Sequence, residues 1–151
     1  NGFLHTAIRE RGGAYGGGAS YDGDSGALRF FSYRDPRLEG TLADFDAAIA
    51  WVQDHAAEPH EVEEAILGVI AGIDKPGSPA GEARRAFHAA LYGRTPERRR
   101  EFRARVLDTT LADLRRVTAA YLDPTRASTA VVIGPDRADA ARALGLEVLK
   151  V

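Results

Sequence analysis

A chain of 151 residues, 44% of them hydrophobic, is long enough to form one domain around a buried core. Its 20 basic and 22 acidic residues give a net charge of −2, so no overall field attracts nucleic acid or an anionic membrane surface. The lack of cysteine excludes disulfides, thiolate metal ligands and cysteine nucleophiles. We therefore predict a single domain over residues 1–151, with neither nucleic-acid nor membrane partners.

The composition also bears on the source of the protein. The sequence has no run of about 18 apolar residues and no signal-peptide pattern, which predicts a soluble protein. It contains no methionine, so we expect Asn1 to be the edge of a fragment of a larger chain. Arginine far outnumbers lysine and alanine is abundant, which indicates a GC-rich bacterial source. We accordingly expect a protein of the bacterial cytoplasm.

The N-terminal part of the chain predicts a helix followed by a β-hairpin. Apolar spacings of three and four predict an amphipathic helix from Phe3 to Arg11, with the stripe Phe3, Leu4, Ala7 and Ile8. Gly12 and Gly13 follow this helix and are expected to end it. Two runs that can be extended, "AYGGGASY" and "ALRFFSYR", then flank a turn in which Asp22-Gly23 is expected to supply left-handed conformations.

Helices are predicted for most of the remaining chain. Apolar stripes, caps and prolines define five of them: one capped by Thr41, one from Pro59 to Ile73, one from Glu82 to Leu91, one opening at Pro96 after the cap Thr95, and "LADLRRVTAAYL", capped by Thr109 or Thr110. Between the second and third helices, "DKPGSPAG" is a loop by composition.

The C-terminal part predicts a β-α-β order. The segment Ala127–Ile133 is apolar and β-branched, which predicts a buried strand. A short helix from Arg137 to Leu144 and a final strand from Leu146 to Val151 follow. Strands at both ends with helices between them predict an α+β fold, in which an antiparallel or mixed sheet packs helices against one face.

No metal site is predicted within this chain. The run "HEVEE", starting at His60, has one histidine where a zinc helix of the HExxH or HxxEH type needs two on one face. His5, His55 and His88 are each isolated in the sequence. The acidic residues after His60 suit the positive end of a helix dipole, which is a structural explanation for them.

Three other kinds of site are disfavoured by their sequence context. No serine lies in a nucleophile-elbow pattern, although a triad built from distant segments stays open. The glycines follow a helix and precede a strand, the reverse of a phosphate loop, which disfavours a small-ligand binder of that kind. The arginines of residues 94–105 are interleaved with Glu97 and Glu101, which predicts a solvated, salt-bridged helix face rather than a nucleic-acid site.

The stretch "HTAIRERGGAYGGGASYDGDSGALRFFSYRDP", from His5 to Pro36, resembles the C-terminal half of the insulinase/pitrilysin-like zinc metallopeptidases, the inverzincins. Within that family it is most similar to the presequence protease branch. The resemblance implies an insulinase-type peptidase half-domain, an elaboration of the ferredoxin-like fold. It leaves "YRDP" and the aspartates of the turn as turn and loop structure.

The resemblance also implies a division of labour between two homologous halves that close over a chamber. The N-terminal half of the same polypeptide is the implied partner and carries the HxxEH zinc helix and a distal glutamate ligand. The C-terminal half lacks the zinc site and contributes an arginine and a tyrosine that bind the peptide substrate and stabilise the oxyanion. By motif position these are Arg9 and Tyr15, with Arg11 as the competing arginine. This chain alone is then expected to hold no cofactor and to be inactive.

The glycines beside the tyrosine complete the implied site. Gly12, Gly13, Gly16 and Gly17 would allow a peptide backbone to approach closely and bind as an added strand. Two alternatives remain open at this point. The chain is a purely structural or interaction relative of the same fold, or Tyr15 packs on the sheet while Arg9 pairs with Glu10 or Asp35.

Overall fold

The computed structural model describes residues 2–55 and 57–149. The chain divides into two compact units: one contains the chain up to Asp54 and again from Thr118 onward, and the other contains His55–Val117. The single domain over residues 1–151 stays a prediction. In the described residues, no helix combines the length and apolar character needed to cross a membrane.

The first unit opens with the predicted helix, which is wound more widely than an ordinary α-helix. Phe3 and Leu4 are helical, and His5–Arg11 forms a π-helix that buries Ala7 and Ile8. Such helices are rare, and they frequently occur at functional sites. Gly12 keeps a right-handed helical φ of −80°, and Gly13 turns the chain away with a φ of +79°. The glycine pair therefore ends the helix as predicted.

A two-stranded antiparallel hairpin follows, with strands β1 (Gly16–Asp22) and β2 (Ala27–Tyr33). Gly16 lies opposite Tyr33 at the base of the hairpin. The turn spans residues 23–26, and its left-handed residue is Gly26, with a φ of +68°. The prediction that Asp22-Gly23 supplies the left-handed conformation was wrong, because the Asp22 carboxylate instead accepts the Asp24 N–H at 2.9 Å and closes a longer loop.

Six α-helices follow in the described residues. They are α1 (Glu39–Asp54), α2 (Pro59–Asp74), α3 (Pro79–Leu91), α4 (Pro96–Leu107), α5 (Leu111–Tyr121) and α6 (Ala138–Ala143). Short 3₁₀ turns, Pro124–Arg126 and Pro135–Arg137, separate the last two.

Local capping explains most helix starts. Helix α3 begins three residues before Glu82 because the Ser78 hydroxyl accepts the Gly81 N–H. Of the two candidate caps for α5, the Thr110 hydroxyl is the one that accepts a helix N–H, from Asp113 at 3.2 Å. The prediction that Thr41 caps the first of these helices was wrong. It lies buried in the first turn of α1, where its hydroxyl donates to Asp35 at 2.6 Å.

Helices α2 and α4 of the second unit are joined by a charged contact. Arg103 of α4 donates to both carboxylate oxygens of Asp74, with the shortest distance 2.7 Å from Nη2 to Oδ2. Within α4, Arg100 pairs with Glu97 at 2.7 Å. The arginine-rich helix is therefore a salt-bridged face, as predicted, although two of its arginines reach α2: Arg103 through Asp74, and Arg99 by donating to the Ile73 carbonyl.

Neither C-terminal strand forms among the described residues. Residues 127–134 are irregular, and Val132 is fully exposed where a buried strand was predicted. Residues 146–149 are irregular too, and the end of the predicted strand at Lys150 and Val151 lies outside the described residues. A β-branched composition favours a strand only where another strand supplies its hydrogen bonds, and here none is paired with it. The α+β class is confirmed, with helices predominating and β1 and β2 as the described sheet.

The core of the first unit forms where the π-helix meets the hairpin. Ile8 is 0% exposed and clusters with Ala7 and Ala14, with Phe3, Leu4 and Phe45 packed against the cluster. A Cβ at position 17 would lie 2.8 Å from Ile8 Cγ2 and 2.9 Å from the Phe31 carbonyl oxygen. Glycine at this position therefore allows the strand to lie directly on the Ile8 side chain.

We expect Gly17→Ala to destabilise the chain by about 1–3 kcal/mol, because the added methyl group overlaps a backbone oxygen that cannot move cheaply. Gly18→Ala is the matched control: its nearest atom would be Phe31 Cζ at 3.7 Å, an ordinary contact. Urea denaturation measures both. Equal midpoints for the two variants would contradict the close packing of β1 on Ile8.

Candidate functional site

Arg9 lies on the surface at the C-terminal end of the π-helix. Its side chain is exposed, and no hydrogen bond or ion pair joins its guanidinium to another described residue. The carboxylate of Glu10 lies 3.2 Å from His5 Nδ1 instead, and that of Asp35 accepts from Thr41. Arg9 therefore pairs with neither Glu10 nor Asp35 among the described residues. The positive charge of Arg9 is available to a ligand.

Tyr15 lies between the π-helix and β1 with 61% of its surface exposed. Its backbone N–H donates to the Arg34 carbonyl at 3.2 Å. Its ring centroid lies 5.6 Å from that of Tyr33 and 5.2 Å from Arg34 Cζ. The ring is thus in contact with the end of the hairpin, and its hydroxyl forms no hydrogen bond with another described residue. A phenol in this setting can donate a hydrogen bond to a bound group.

Three of the four predicted glycines are in close internal contact. A Cβ at Gly12 would overlap the Arg37 guanidinium, and one at Gly16 would lie 2.6 Å from the Tyr33 ring. Gly17 lies on Ile8. Gly13 is exposed, with its left-handed φ and the Pro36 side chain 3.5 Å from its Cβ position. Packing accounts for Gly12, Gly16 and Gly17, and a role for the four in substrate binding stays a prediction.

An ionic network that the sequence did not reveal holds the chain just after the hairpin. Arg37 Nη2 donates to Asp44 Oδ2 at 2.9 Å and to the Ala7 carbonyl at 3.3 Å. Asp35 accepts the Thr41 hydroxyl at 2.6 Å and the Arg37 N–H at 2.9 Å. Asp35 and Arg37 therefore connect the π-helix to α1. The sequence signal for it was Asp35, whose side chain can accept the N–H two residues on.

The surroundings of Asp35 hold its carboxyl in the ionised form. Burial raises the pKa of Asp35, but hydrogen bonds from Thr41, the Arg37 N–H and Ser32 outweigh burial and lower the pKa below its usual 3.8. Only 7% of the side chain is exposed, so these bonds are poorly replaced by water when broken.

An apolar groove lies beside this site in the first unit. It has a volume of about 430 Å³ and is formed by the π-helix, the hairpin and α1. Trp51, Phe30 and Leu28 supply much of its wall. Neither Arg9 nor Tyr15 lines it, so the groove and the two predicted site residues are separate features.

The residues present do not fit zinc. No group of three or more histidine, aspartate or glutamate side chains within residues 2–55 and 57–149 is placed to hold a metal ion. His55 lies 3.2 Å from Glu61, and His5 lies 3.2 Å from Glu10. A zinc site needs at least three protein ligands.

Comparison with known proteins gives a consistent result. A model of the PreP C-terminal domain matches residues 1–134. The mitochondrial presequence protease of Schizosaccharomyces pombe is 38% identical over 133 residues, covering 88% of this chain and 13% of that protein. Its counterpart in Emericella nidulans is 39% identical over 150 residues, covering 99% of this chain and 14% of that protein. The mitochondrial presequence protease of Xenopus tropicalis is 35% identical over 141 residues, covering 93% of this chain and 13% of that protein.

These relatives correct the prediction of origin and location. The chain spans about 13% of their length. They are named as mitochondrial proteins and come from fungi and a frog, so the prediction of a bacterial cytoplasmic protein was wrong. A high arginine content reflects the base composition of the gene, and base composition does not determine the compartment in which the protein is located.

We expect Asp35→Asn to lower the stability of the chain by about 1 kcal/mol at pH 7, because the amide has one acceptor oxygen where the carboxylate accepts on both, from the Thr41 hydroxyl and the Arg37 N–H. The folded pKa of Asp35 is lowered, so its contribution is present above pH 3.8 and is lost as the pH falls through the folded pKa. The difference between wild type and variant should therefore shrink below pH 3.8. Asp46→Asn, a change at an exposed aspartate of α1, the helix that Asp35 contacts through Thr41, is the control. Denaturation midpoints across this range measure both, and a pH-independent difference would contradict the ionised network.

Proposed function

The chain belongs to the PreP C-terminal domain family, and from this premise we propose that it is the substrate-contacting, non-catalytic C-terminal domain of a zinc metalloendopeptidase that degrades peptides. The family match over residues 1–134 carries the proposal. The exposure of Arg9 and Tyr15, with no partner for either side-chain polar group among the described residues, supports it.

The proposed roles follow from the chemistry of the two side chains. During peptide hydrolysis the scissile carbonyl oxygen becomes negatively charged, and a donor aimed at it lowers the barrier. The Tyr15 hydroxyl is such a donor. Arg9 supplies a permanent positive charge and up to five N–H donors, which suits a peptide carbonyl or a developing oxyanion.

The N-terminal zinc-binding half of the same polypeptide is the proposed partner. The difference in length between this chain and its relatives supports it, since the chain covers about 13% of each. Donors and metal on opposite halves would make hydrolysis depend on closure of the halves around the peptide. Reading the upstream frame of the gene tests this directly: the frame must encode HxxEH followed by a distal glutamate.

A purely structural role is the second candidate. The internal contacts of Gly12, Gly16 and Gly17 favour it, because they explain three glycines of the motif without a ligand. This role requires nothing of the Tyr15 hydroxyl or the Arg9 charge, so substitutions at these two positions separate the candidates.

In the full-length protein, Tyr15→Phe is expected to lower peptide turnover by at least about tenfold and by up to about a thousandfold, with metal content unchanged. The reason is the loss of one hydrogen-bond donor to the oxyanion, while the ring contacts remain. Tyr21→Phe, an exposed tyrosine near the far end of β1, is the matched control and should leave turnover unchanged. Wild-type turnover in Tyr15→Phe would refute the transition-state role.

Arg9→Ala and Arg11→Ala distinguish the two candidate arginines. Both side chains are exposed near the end of the π-helix, so their effects on folding should be alike. We expect Arg9→Ala to lower kcat/KM by about 10- to 100-fold, the effect of losing a charged hydrogen bond, and Arg11→Ala to change it little. The opposite ranking would assign the substrate contact to Arg11.

A further inference from the structure

Arg34 occupies an unusual backbone conformation beside the proposed site. Its φ is +48°, and among the described residues it is the one non-glycine residue with a positive φ. Side chains crowd the following carbonyl in this region, whereas glycine adopts it without that cost. The chain could follow the same path with glycine at this position, so the presence of arginine has to be explained by its side chain. Strained backbone conformations of this kind cluster at functional sites.

Both the backbone and the side chain of Arg34 contact Tyr15. The Arg34 carbonyl accepts the Tyr15 N–H at 3.2 Å. Its guanidinium carbon lies 5.2 Å from the centroid of the Tyr15 ring, within the range of a cation–π contact. Arg34 forms no ion pair with a described carboxylate. Among the described residues, its guanidinium therefore contacts the Tyr15 ring.

The segment after Arg34 is held firmly enough to maintain this geometry. Asp35 is fixed by the Thr41 hydroxyl at 2.6 Å, and Arg37 is fixed by Asp44 at 2.9 Å. The conformation of Arg34 is thereby determined by α1 on one side and the hairpin on the other. Tyr15, in contrast, is mostly exposed, and an exposed side chain samples several rotamers unless a neighbour restricts it.

We infer that Arg34 is a positioning residue that holds the Tyr15 ring so that its hydroxyl meets the reacting carbonyl of a bound peptide. The inference rests on the proposed function, since it assigns Arg34 a role through Tyr15. Glycine at position 34 would satisfy the backbone better, so the arginine is explained by its side chain. Tyr33, whose ring centroid lies 5.6 Å from that of Tyr15, provides a second contact.

Arg34→Gly in the full-length protein is the main test, because glycine keeps the positive φ while removing the guanidinium. We expect kcat to fall about two- to fivefold, the factor that a cation–π contact at an exposed site is worth, with KM unchanged. Arg34→Lys keeps a cation and should recover part of the loss. Arg29→Ala removes an exposed positive charge from β2, the strand that ends just before Arg34, and should leave kcat at the wild-type value.

The double variant Arg34→Gly/Tyr15→Phe separates positioning from an independent effect. If Arg34 acts through the Tyr15 hydroxyl, the double variant turns over at the rate of Tyr15→Phe alone. A further loss by the same factor as in Arg34→Gly overturns the inference, and so does wild-type kcat in Arg34→Gly when Tyr15→Phe is slow. Wild-type turnover in Tyr15→Phe itself instead removes the proposed function on which the inference rests.

Discussion

The contact between Ile8 and Gly17 fixes the arrangement of the first unit. Ile8 is the largest fully buried side chain in the described residues, and it lies where β1 has no side chain of its own. Any residue larger than glycine at position 17 would push the strand away from the π-helix. Arg9 follows directly after Ile8, and Tyr15 lies just before β1. Both proposed site residues therefore take their positions from one apolar contact.

The polar network around Arg37 is a second link between the π-helix and the rest of the first unit. Arg37 binds the Ala7 carbonyl and the Asp44 carboxylate, so it joins the residue before Ile8 to α1. Asp35 belongs to the same network, since it accepts hydrogen bonds from the Thr41 hydroxyl and from the Arg37 N–H. Apolar packing and these charged bonds together hold the backbone of this region, while the Tyr15 ring and the Arg9 side chain stay exposed.

Local signals in the sequence were sufficient for the presence of the helices and of the hairpin, and insufficient for the C-terminal segments. Pro59 and Pro96 mark helix starts because proline fits the first helical turn and almost no other helical position. Residues 127–133 have strand-like composition, yet a strand exists only where a partner pairs with it, and composition does not report partners. The motif singled out Arg9 and Tyr15 as candidate site residues, whereas the role of Arg34 depends on a φ angle and a ring contact that only the folded chain defines.

The length of the hairpin sets how far its turn lies from the proposed site. Seven residues per strand, at about 3.4 Å each, carry the turn roughly 20 Å from the base. The base is pinned by Ile8 and by the pairing of Gly16 with Tyr33, while the tip around Gly26 is exposed. The turn is therefore well separated from Tyr15, which directly precedes the base of β1. A spectroscopic label attached near Gly26 would lie far from the proposed site and would not contact it.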